Sequence, residues 1–192
     1  MRTNTFNQIN DFAAQVMKNS SDSYHSLDHV KSVAKNALKF NKILNTNLDQ
    51  KLLVSVCYLH DIHVIKSKPT LRTFLFEKRI LKKILPNILT QFNLSKKDKK
   101  IIEQAVYNHP HAFPFHKLNK KRSLYAQLLQ DADLVDQFSK HSLSTTDTTI
   151  FQKIILSLSF IIQTPTIGAF VIKHFSNHPQ ASLQVLKSKN AR

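Results

Sequence analysis

Apolar residues recur along this chain at the three- and four-residue spacing that is typical of amphipathic helices. The spacing predicts helices over about residues 5–18, 27–44, 48–62, 70–92, 96–108 and 122–138. The third of these is apolar nearly all round, which predicts that it lies at the centre of the fold. No segment shows the sustained strict alternation of a half-buried strand. The pattern therefore predicts an all-α protein.

The C-terminal third contains an uncharged stretch of 19 residues, from 154 to 172. Its length approaches that of a bilayer-spanning helix. However, the polar segment around Pro165 lies at its midpoint, where a membrane helix would need unbroken backbone hydrogen bonding. We therefore expect two shorter core helices here, and we expect no membrane partner.

Composition narrows the class of protein. The length of 192 residues fits a single domain over 1–192 that can bury its own core. The only glycine is Gly168, which excludes the glycine-rich phosphate-binding loops of Rossmann and P-loop proteins. The only cysteine, Cys57, has apolar neighbours and is predicted to be a reduced interior thiol. Since the N-terminus also lacks a signal-peptide pattern, we expect a cytoplasmic protein.

The charge balance points to an anionic partner. The chain has 28 Lys and Arg residues against 12 Asp and Glu, a net charge of +16. Residues 66–122 hold 15 of these basic residues and three acids, so most of the excess lies there. Such a balance favours nucleotide, nucleic acid or an acidic membrane surface as partner, but it is also common on lysine-rich surfaces.

Histidines and aspartates cluster at three places on the predicted helices. His25 and His29 are four residues apart, so both can lie on one helical face. His60 and Asp61 are adjacent at the end of the central helix, where the last turn can open enough for both to reach one ion. The 122–138 helix carries three acids within six residues of an otherwise apolar sequence, Asp131, Asp133 and Asp136.

Carboxylates in apolar helices carry a large desolvation cost unless a positive charge neutralises them. Here the obvious neutraliser is a metal ion. Mixed imidazole and carboxylate ligation suits a divalent transition metal, such as Mn, Fe, Co, Ni or Zn, with positions left open for water. The sequence thus proposes a metal site built from three helices.

The order of these residues resembles the HD superfamily of metal-dependent phosphohydrolases. His29 comes first, then the His60-Asp61 pair, then an aspartate in an Ala-Asp-hydrophobic context, and residues 24–30 resemble the family's entry to the first ligand. The resemblance runs over about residues 24–138. It implies an all-helical bundle with a central metal held by His29, His60, Asp61 and Asp133, followed by a C-terminal helical extension over about 145–188. Helical periodicity alone would instead choose Asp131 as the fourth ligand.

The resemblance also implies a reaction, the hydrolysis of a phosphate ester or phosphoanhydride, best fitted by a nucleotide. Asp61 would then carry the proton of the attacking water, and His109 would protonate the leaving oxygen or bind phosphate. Positions similar to His109 and His111 face the substrate or a second metal in such proteins. Basic residues that follow Asp61 could close over the substrate phosphates: Lys66, Lys68 and Arg72. A second basic rim is expected at Lys117, Lys120, Lys121 and Arg122.

Two other functions are compatible with these residues. A helical nucleic-acid-binding domain would grip phosphates with the 66–122 region, but few aromatic residues lie among its basic runs to stack on bases. A degenerate family member would bind metal or nucleotide as a sensor without catalysis. The remaining histidines have no such neighbours in sequence and are expected to be surface or packing residues: His63, His116, His141, His174 and His178.

Overall fold

A computed structural model describes residues 2–20, 25–65, 71–109, 122–137, 139 and 165–190. Within these ranges the chain forms α-helices joined by short turns, with no strand. This confirms the predicted all-α fold. The helices are α1 (Arg2–Lys18), α2 (Leu27–Ile43), α3 (Gln50–Leu59), α4 (Leu71–Leu89), α5 (Lys96–Asn108), α6 (Leu124–Gln137), α7 (Pro165–Phe175) and α8 (Pro179–Asn190), with a 3₁₀ turn at Ile62–Ile65.

Side-chain caps explain where several helices begin. Ser26 accepts a hydrogen bond from the backbone N–H of His29 at the start of α2, and Asp49 accepts from the first turn of α3. Ser95 caps α5, as its sequence position predicts. Each cap satisfies a donor that would otherwise lack a partner and contributes on the order of 1 kcal/mol. The boundaries of α2 and α5 are therefore encoded locally.

The central helix α3 forms the middle of the core. It packs against α1, α2, α5 and α6. Its residues Leu52, Leu53, Val56 and Leu59 are fully buried, which confirms the prediction of central burial. Cys57 is buried among them, and this burial raises the pKa of its thiol, as expected for an inert interior cysteine.

The central helix ends three residues earlier than predicted. The chain leaves the helix after Leu59, and His60 and Asp61 form a turn that leads into the 3₁₀ segment Ile62–Ile65. Apolar periodicity continues through this turn because Ile62 is also buried, which is why the pattern alone extends the helix. Because the helix ends at Leu59, the adjacent side chains of His60 and Asp61 are not held about 100° apart and can point to the same side.

Helices α2 and α6 pack together, and the C-terminal helix α8 packs against both. The side-chain amide of Asn36 donates a hydrogen bond to the carbonyl of Ala132, which joins α2 to α6 in the interior. Among the described residues, no helix is long and apolar enough to cross a membrane. Of the uncharged stretch 154–172, only the part from Pro165 onward lies within the described residues, as the first turns of α7.

Candidate metal centre

Three elements bring the predicted ligands to one point. His29 lies in the first turn of α2, His60 and Asp61 lie in the turn after α3, and Asp133 projects from α6. His60, Asp61 and Asp133 are at most 5% exposed. The side chain of His29 is 14% exposed. The centre therefore lies inside the bundle but close to its surface.

The side-chain atoms converge around the Nε2 atom of His29. This atom lies 3.3 Å from Nε2 of His60, 3.3 Å from Oδ1 of Asp133 and 3.5 Å from Oδ2 of Asp61. His60 Nε2 lies 3.0 Å from the same Asp61 oxygen. Nitrogen and oxygen atoms from four residues therefore surround one small volume.

Hydrogen bonds to the other ring nitrogens orient the imidazoles. The Nδ1 atom of His60 lies 2.6 Å from the carbonyl of Cys57, and Nδ1 of His29 lies 2.9 Å from Oδ2 of Asp136. Since a carbonyl or carboxylate only accepts, each Nδ1 must carry the proton. The Nε2 atoms are then the basic nitrogens, and both point to the centre. This is the tautomer that a metal-ligating histidine needs.

The centre has the electrostatics of a cation site. Burial alone would lower the pKa of His29, but the carboxylates of Asp133, Asp136 and Asp61 outweigh it and raise that pKa well above its ordinary value. Burial would raise the pKa of Asp61, but the imidazoles of His60, His25 and His29 hold it well below its usual range. The group thus favours ionised carboxylates together with a positive charge.

One observation tests directly whether these residues fit a metal ion. The Oδ2 atom of Asp61 is buried and accepts no hydrogen bond from the described residues. A buried carboxylate oxygen without such a bond is costly unless a cation neutralises it. Donor atoms of His29, His60 and Asp61 lie within 4.8 Å of one another, close enough to share an ion. The donor set therefore fits a divalent metal.

The structure distinguishes Asp131 from Asp133, the two aspartates between which the sequence did not decide. Asp133 lies beside His29, whereas Asp131 is fully buried on another side of α6. The Asp131 carboxylate accepts hydrogen bonds from the backbone N–H groups of Asn177 and His178, at 2.7 and 2.9 Å, just before α8 begins. Asp131 therefore caps the start of α8, and Asp133 is the aspartate that lies beside His29 at the centre.

Glu77 is a residue of this region that sequence reasoning missed as a site residue. Its Oε1 atom lies 3.5 Å from Nε2 of His109, and the two form a second group of potential ligands with Asp61. Burial and the nearby charge of Asp61 raise the pKa of Glu77 to about 8. The sequence does single out Glu77 in one respect, since it is the only acidic residue between Asp61 and Asp98.

His109 lies next to the first group of potential ligands. Its ring centroid is 5.1 Å from that of His60, and its Nδ1 atom donates to the carbonyl of Val106 at 2.7 Å. Burial lowers the pKa of His109 to about 3, with a smaller contribution from His60. The side chain is therefore a neutral imidazole whose Nε2 faces Glu77.

Two further residues differ from what their sequence neighbours imply. His63 is buried, its ring contacts that of His25, and its Nδ1 lies 3.9 Å from Glu77, so it belongs to the wall of the site. Arg122 is also buried and donates to the side chain of Gln130, so it does not form part of a solvent-facing rim.

Most of the predicted substrate-binding residues lie outside the described residues. This holds for Lys66, Lys68 and His111, and for the remaining rim residues Lys117, Lys120 and Lys121. Arg72 lies in the first turn of α4, although its side chain is not among those described. These assignments stay predictions.

Comparison with known proteins gives a family and a fold. The model of the HD domain family matches residues 26–137, more than half of the chain. No curated protein matches the chain. A crystal structure of a Lactobacillus plantarum protein, a structural genomics target, superposes with a TM-score of 0.64 at 16% identity, covering 98% of this chain and 91% of the other. At that identity the likeness shows the fold alone.

Proposed function

Because this chain belongs to the HD domain family, we propose that it is a metal-dependent phosphohydrolase that cleaves a phosphate ester or phosphoanhydride of a nucleotide. The observation that carries the proposal is the convergence of His29, His60, Asp61 and Asp133 on one buried point. Family membership supports the class of reaction, and the local chemistry of the chain supports the assignment of roles.

His29, His60, Asp61 and Asp133 would hold a divalent transition ion, and mixed imidazole and carboxylate ligation is compatible with Mn, Fe, Co, Ni or Zn. When bound, such an ion supplies a Lewis acid that polarises a phosphoryl oxygen and acidifies a water molecule. Asp61 and Asp133 bring two negative charges to a buried point, where they are stable only beside a cation or a proton.

The residues around this point supply the proton chemistry. Asp61 belongs to both groups of potential ligands. We therefore assign its carboxylate to orient the attacking water and to accept its proton. On the other side, His109 is neutral and Glu77 has a raised pKa. We assign Glu77 as the proton donor for the leaving oxygen and His109 as the acceptor that orients it.

A basic surround supports an anionic substrate. Lys78, next to Glu77 on α4, donates a hydrogen bond at 3.1 Å to Asn108, the residue before His109. Partial burial and the charges of Lys82 and Arg122 lower the pKa of Lys78, which indicates a positive potential beside the site. Lys66, Lys68, Arg72 and His111 are proposed to contact the phosphates, as charge-assisted hydrogen bonds to phosphate are strong.

Metal analysis combined with a hydrolysis screen tests the proposal. Release of phosphate or pyrophosphate from a panel of nucleotides and deoxynucleotides, with Mn²⁺ added, is compared for the wild type, His60→Gln and the control His174→Gln, an exposed histidine on α7. Loss of a ligand removes several kcal/mol of transition-state stabilisation, so His60→Gln should lower the rate by about 100-fold or more, with the control unchanged.

Two results would contradict the proposal. One is hydrolysis that survives both a chelator and the His60→Gln substitution. The other is the absence of hydrolysis together with nucleic-acid binding that weakens steeply with salt, which would favour a phosphate-backbone-binding domain instead.

A further inference from the structure

Behind His29, on the side away from the centre, lies a buried network of polar side chains. Asp136 of α6 accepts a hydrogen bond from Nδ1 of His29 through Oδ2, at 2.9 Å. Its other oxygen accepts from the hydroxyl of Ser32, one turn further along α2, and from the ammonium of Lys189 on α8. One carboxylate therefore joins three helices, and one of its partners is the histidine that faces the centre.

Lys189 has its donors satisfied in this network. Its Nζ atom lies 2.7 Å from the hydroxyl of Ser32 and 3.3 Å from that of Ser139, in addition to its ion pair with Asp136. The side chains of Lys189 and Asp136 are only 12% and 11% exposed. A lysine that gives up this much hydration needs such partners. The fit is thus more specific than a surface ion pair, which contributes little.

The network controls what His29 can do. A carboxylate at Nδ1 fixes the proton there, leaves the Nε2 lone pair at the centre and increases the basicity of the ring. Without Asp136, the ring of His29 could rotate or change tautomer. Lys189 balances the charge of Asp136, and Ser32 bridges the two.

We propose that Asp136, Ser32 and Lys189 are positioning residues that hold His29 as a metal ligand. Through Lys189, the metal affinity then depends on the packing of the C-terminal helix α8 against α2 and α6. The inference rests on the proposed function, because it needs a metal at the centre. Nothing in the HD match itself requires the contribution of α8, which lies beyond residues 26–137.

Direct metal titration tests this positioning role without any substrate. The affinity for Co²⁺ and the visible spectrum of bound Co²⁺ are measured for the full chain and its variants. Asp136→Asn should weaken binding by about 10- to 100-fold, the range seen when partners of ligating histidines are removed. Lys189→Met should weaken it in the same direction, and Lys189→Arg should restore part of the loss because it keeps the charge.

A matched control separates positioning from simple attachment of α8. Lys39 also ties α2 to α8, since its ammonium donates to the hydroxyl of Ser188 at 3.1 Å, whereas Lys189 donates to Asp136 itself. Lys39→Met should therefore leave Co²⁺ affinity and spectrum unchanged. The double variant Asp136→Asn with Lys189→Met should bind no more weakly than Asp136→Asn alone, because Lys189 acts through Asp136.

The outcomes discriminate between the two levels of the hypothesis. Absence of metal binding in the wild type would overturn the network and the proposed function together. Metal binding by the wild type with equal affinity in Asp136→Asn and Lys189→Met would overturn the network alone, as would equal losses in Lys189→Met and Lys39→Met. Circular dichroism confirms that each variant is folded. Should Asp136→Asn fail to fold, the Lys189 pair of variants still decides the question.

Discussion

At the scale of single residues, the hydrogen-bonded ring nitrogen of each histidine decides what the opposite nitrogen can do. His29 is held by a carboxylate, while His60 and His109 are held by main-chain carbonyls three residues before them. Any sequence in a helix or turn offers such a main-chain carbonyl, so the rings of His60 and His109 are oriented by local structure. The orientation of His29 depends instead on α6, through Asp136, and is a product of tertiary packing.

Asp133 can be tested separately from the fold. Asp133→Asn keeps the size of the side chain but removes the charge of a proposed ligand that lies 3.3 Å from His29 Nε2. We expect Mn²⁺ or Co²⁺ to bind at least about 10-fold more weakly, since carboxylate ligation depends on the charge. Isothermal titration measures the affinity, and circular dichroism in a chelator should show a folded protein. Unchanged affinity would exclude Asp133 from the ligand set.

Glu77 predicts a pH-dependent stability in the metal-free protein. Its pKa in the folded state is about 8, against 4.5 as the ordinary value, so the folded protein keeps this proton longer than the unfolded chain. Its contribution to stability is complete below about pH 4.5 and is lost as the pH rises to about 8. The loss is at most about 1.4 kcal/mol for each pH unit in that window.

Glu77→Gln should remove this dependence because glutamine does not ionise. Urea unfolding in the presence of a chelator, at several pH values, measures it. The variant and the wild type should have similar free energies of unfolding near pH 4.5, and the variant should be more stable at pH 8. Parallel pH profiles for the two proteins would show that Glu77 ionises normally in the folded state.

The sequence predicts the first group of site residues better than the second. His29, His60, Asp61 and Asp133 carry a recognisable order, and the structure brings all four together. Glu77 enters from α4, 16 positions after Asp61, because α4 packs against the 3₁₀ turn Ile62–Ile65, a tertiary contact that no local pattern specifies. Lys189 is more remote still, since it meets Asp136 across 53 residues of sequence.

At the scale of elements, α6 serves three different purposes with three aspartates. Successive residues of a helix are about 100° apart, so Asp133 and Asp136 lie on neighbouring faces while Asp131 points to another side. Asp133 faces the centre, Asp136 lies behind His29, and Asp131 receives the N–H groups that precede α8. Periodicity identifies which residues are buried, but it does not distinguish a ligand from a cap.

The role of Asp131 predicts a loss of stability rather than of metal binding. Asp131→Asn removes a charge that accepts four hydrogen bonds from Asn177 and His178, and it leaves buried donors unpaired. We expect a cost of about 3 kcal/mol, typical of a broken buried charged network. For a chain of this size that lowers the thermal midpoint by about 6–12 °C.

The measurement is thermal unfolding in a chelator, with Asp133→Asn as the matched control on the same helix. Asp131→Asn should melt well below the wild type in the absence of metal, because the defect lies in the attachment of α8. Equal midpoints for Asp131→Asn and the wild type would refute the capping role.

The helices themselves were largely predictable, and the reasons are local. Ser95 caps α5 at the predicted residue, and the apolar stripe of α2 ends within one residue of its prediction. The end of α3 was not predictable in this way, because the buried Ile62 continues the apolar pattern after the backbone has left the helix. Caps and periodicity thus predict helices well, whereas turns that present site residues need the tertiary structure.

At the scale of the whole molecule, the charge distribution and the site belong together. The net charge of +16 is concentrated in residues 66–122, while the acids Asp61, Glu77, Asp133 and Asp136 meet in the interior. Buried acids in a strongly basic chain favour a cation at the acids and an anionic partner for the basic residues. The proposed function uses both features, with a metal at the acids and a small phosphate-containing substrate at the basic residues.

A metal at this centre would link α2, the turn after α3 and α6, and it should therefore stabilise the entire fold. A ligand that binds only the folded state at 100 times its dissociation constant adds about 2.7 kcal/mol. For a chain of 192 residues that corresponds to a rise in the thermal midpoint of about 5–10 °C. Differential scanning fluorimetry with increasing Mn²⁺, Co²⁺ or Zn²⁺ measures the rise and ranks the metals.

His60→Gln should abolish this rise in the thermal midpoint, and the exposed control His174→Gln should retain it. A rise of equal size in both variants would place the stabilising ion elsewhere, because His60, unlike His174, contributes a nitrogen to the centre.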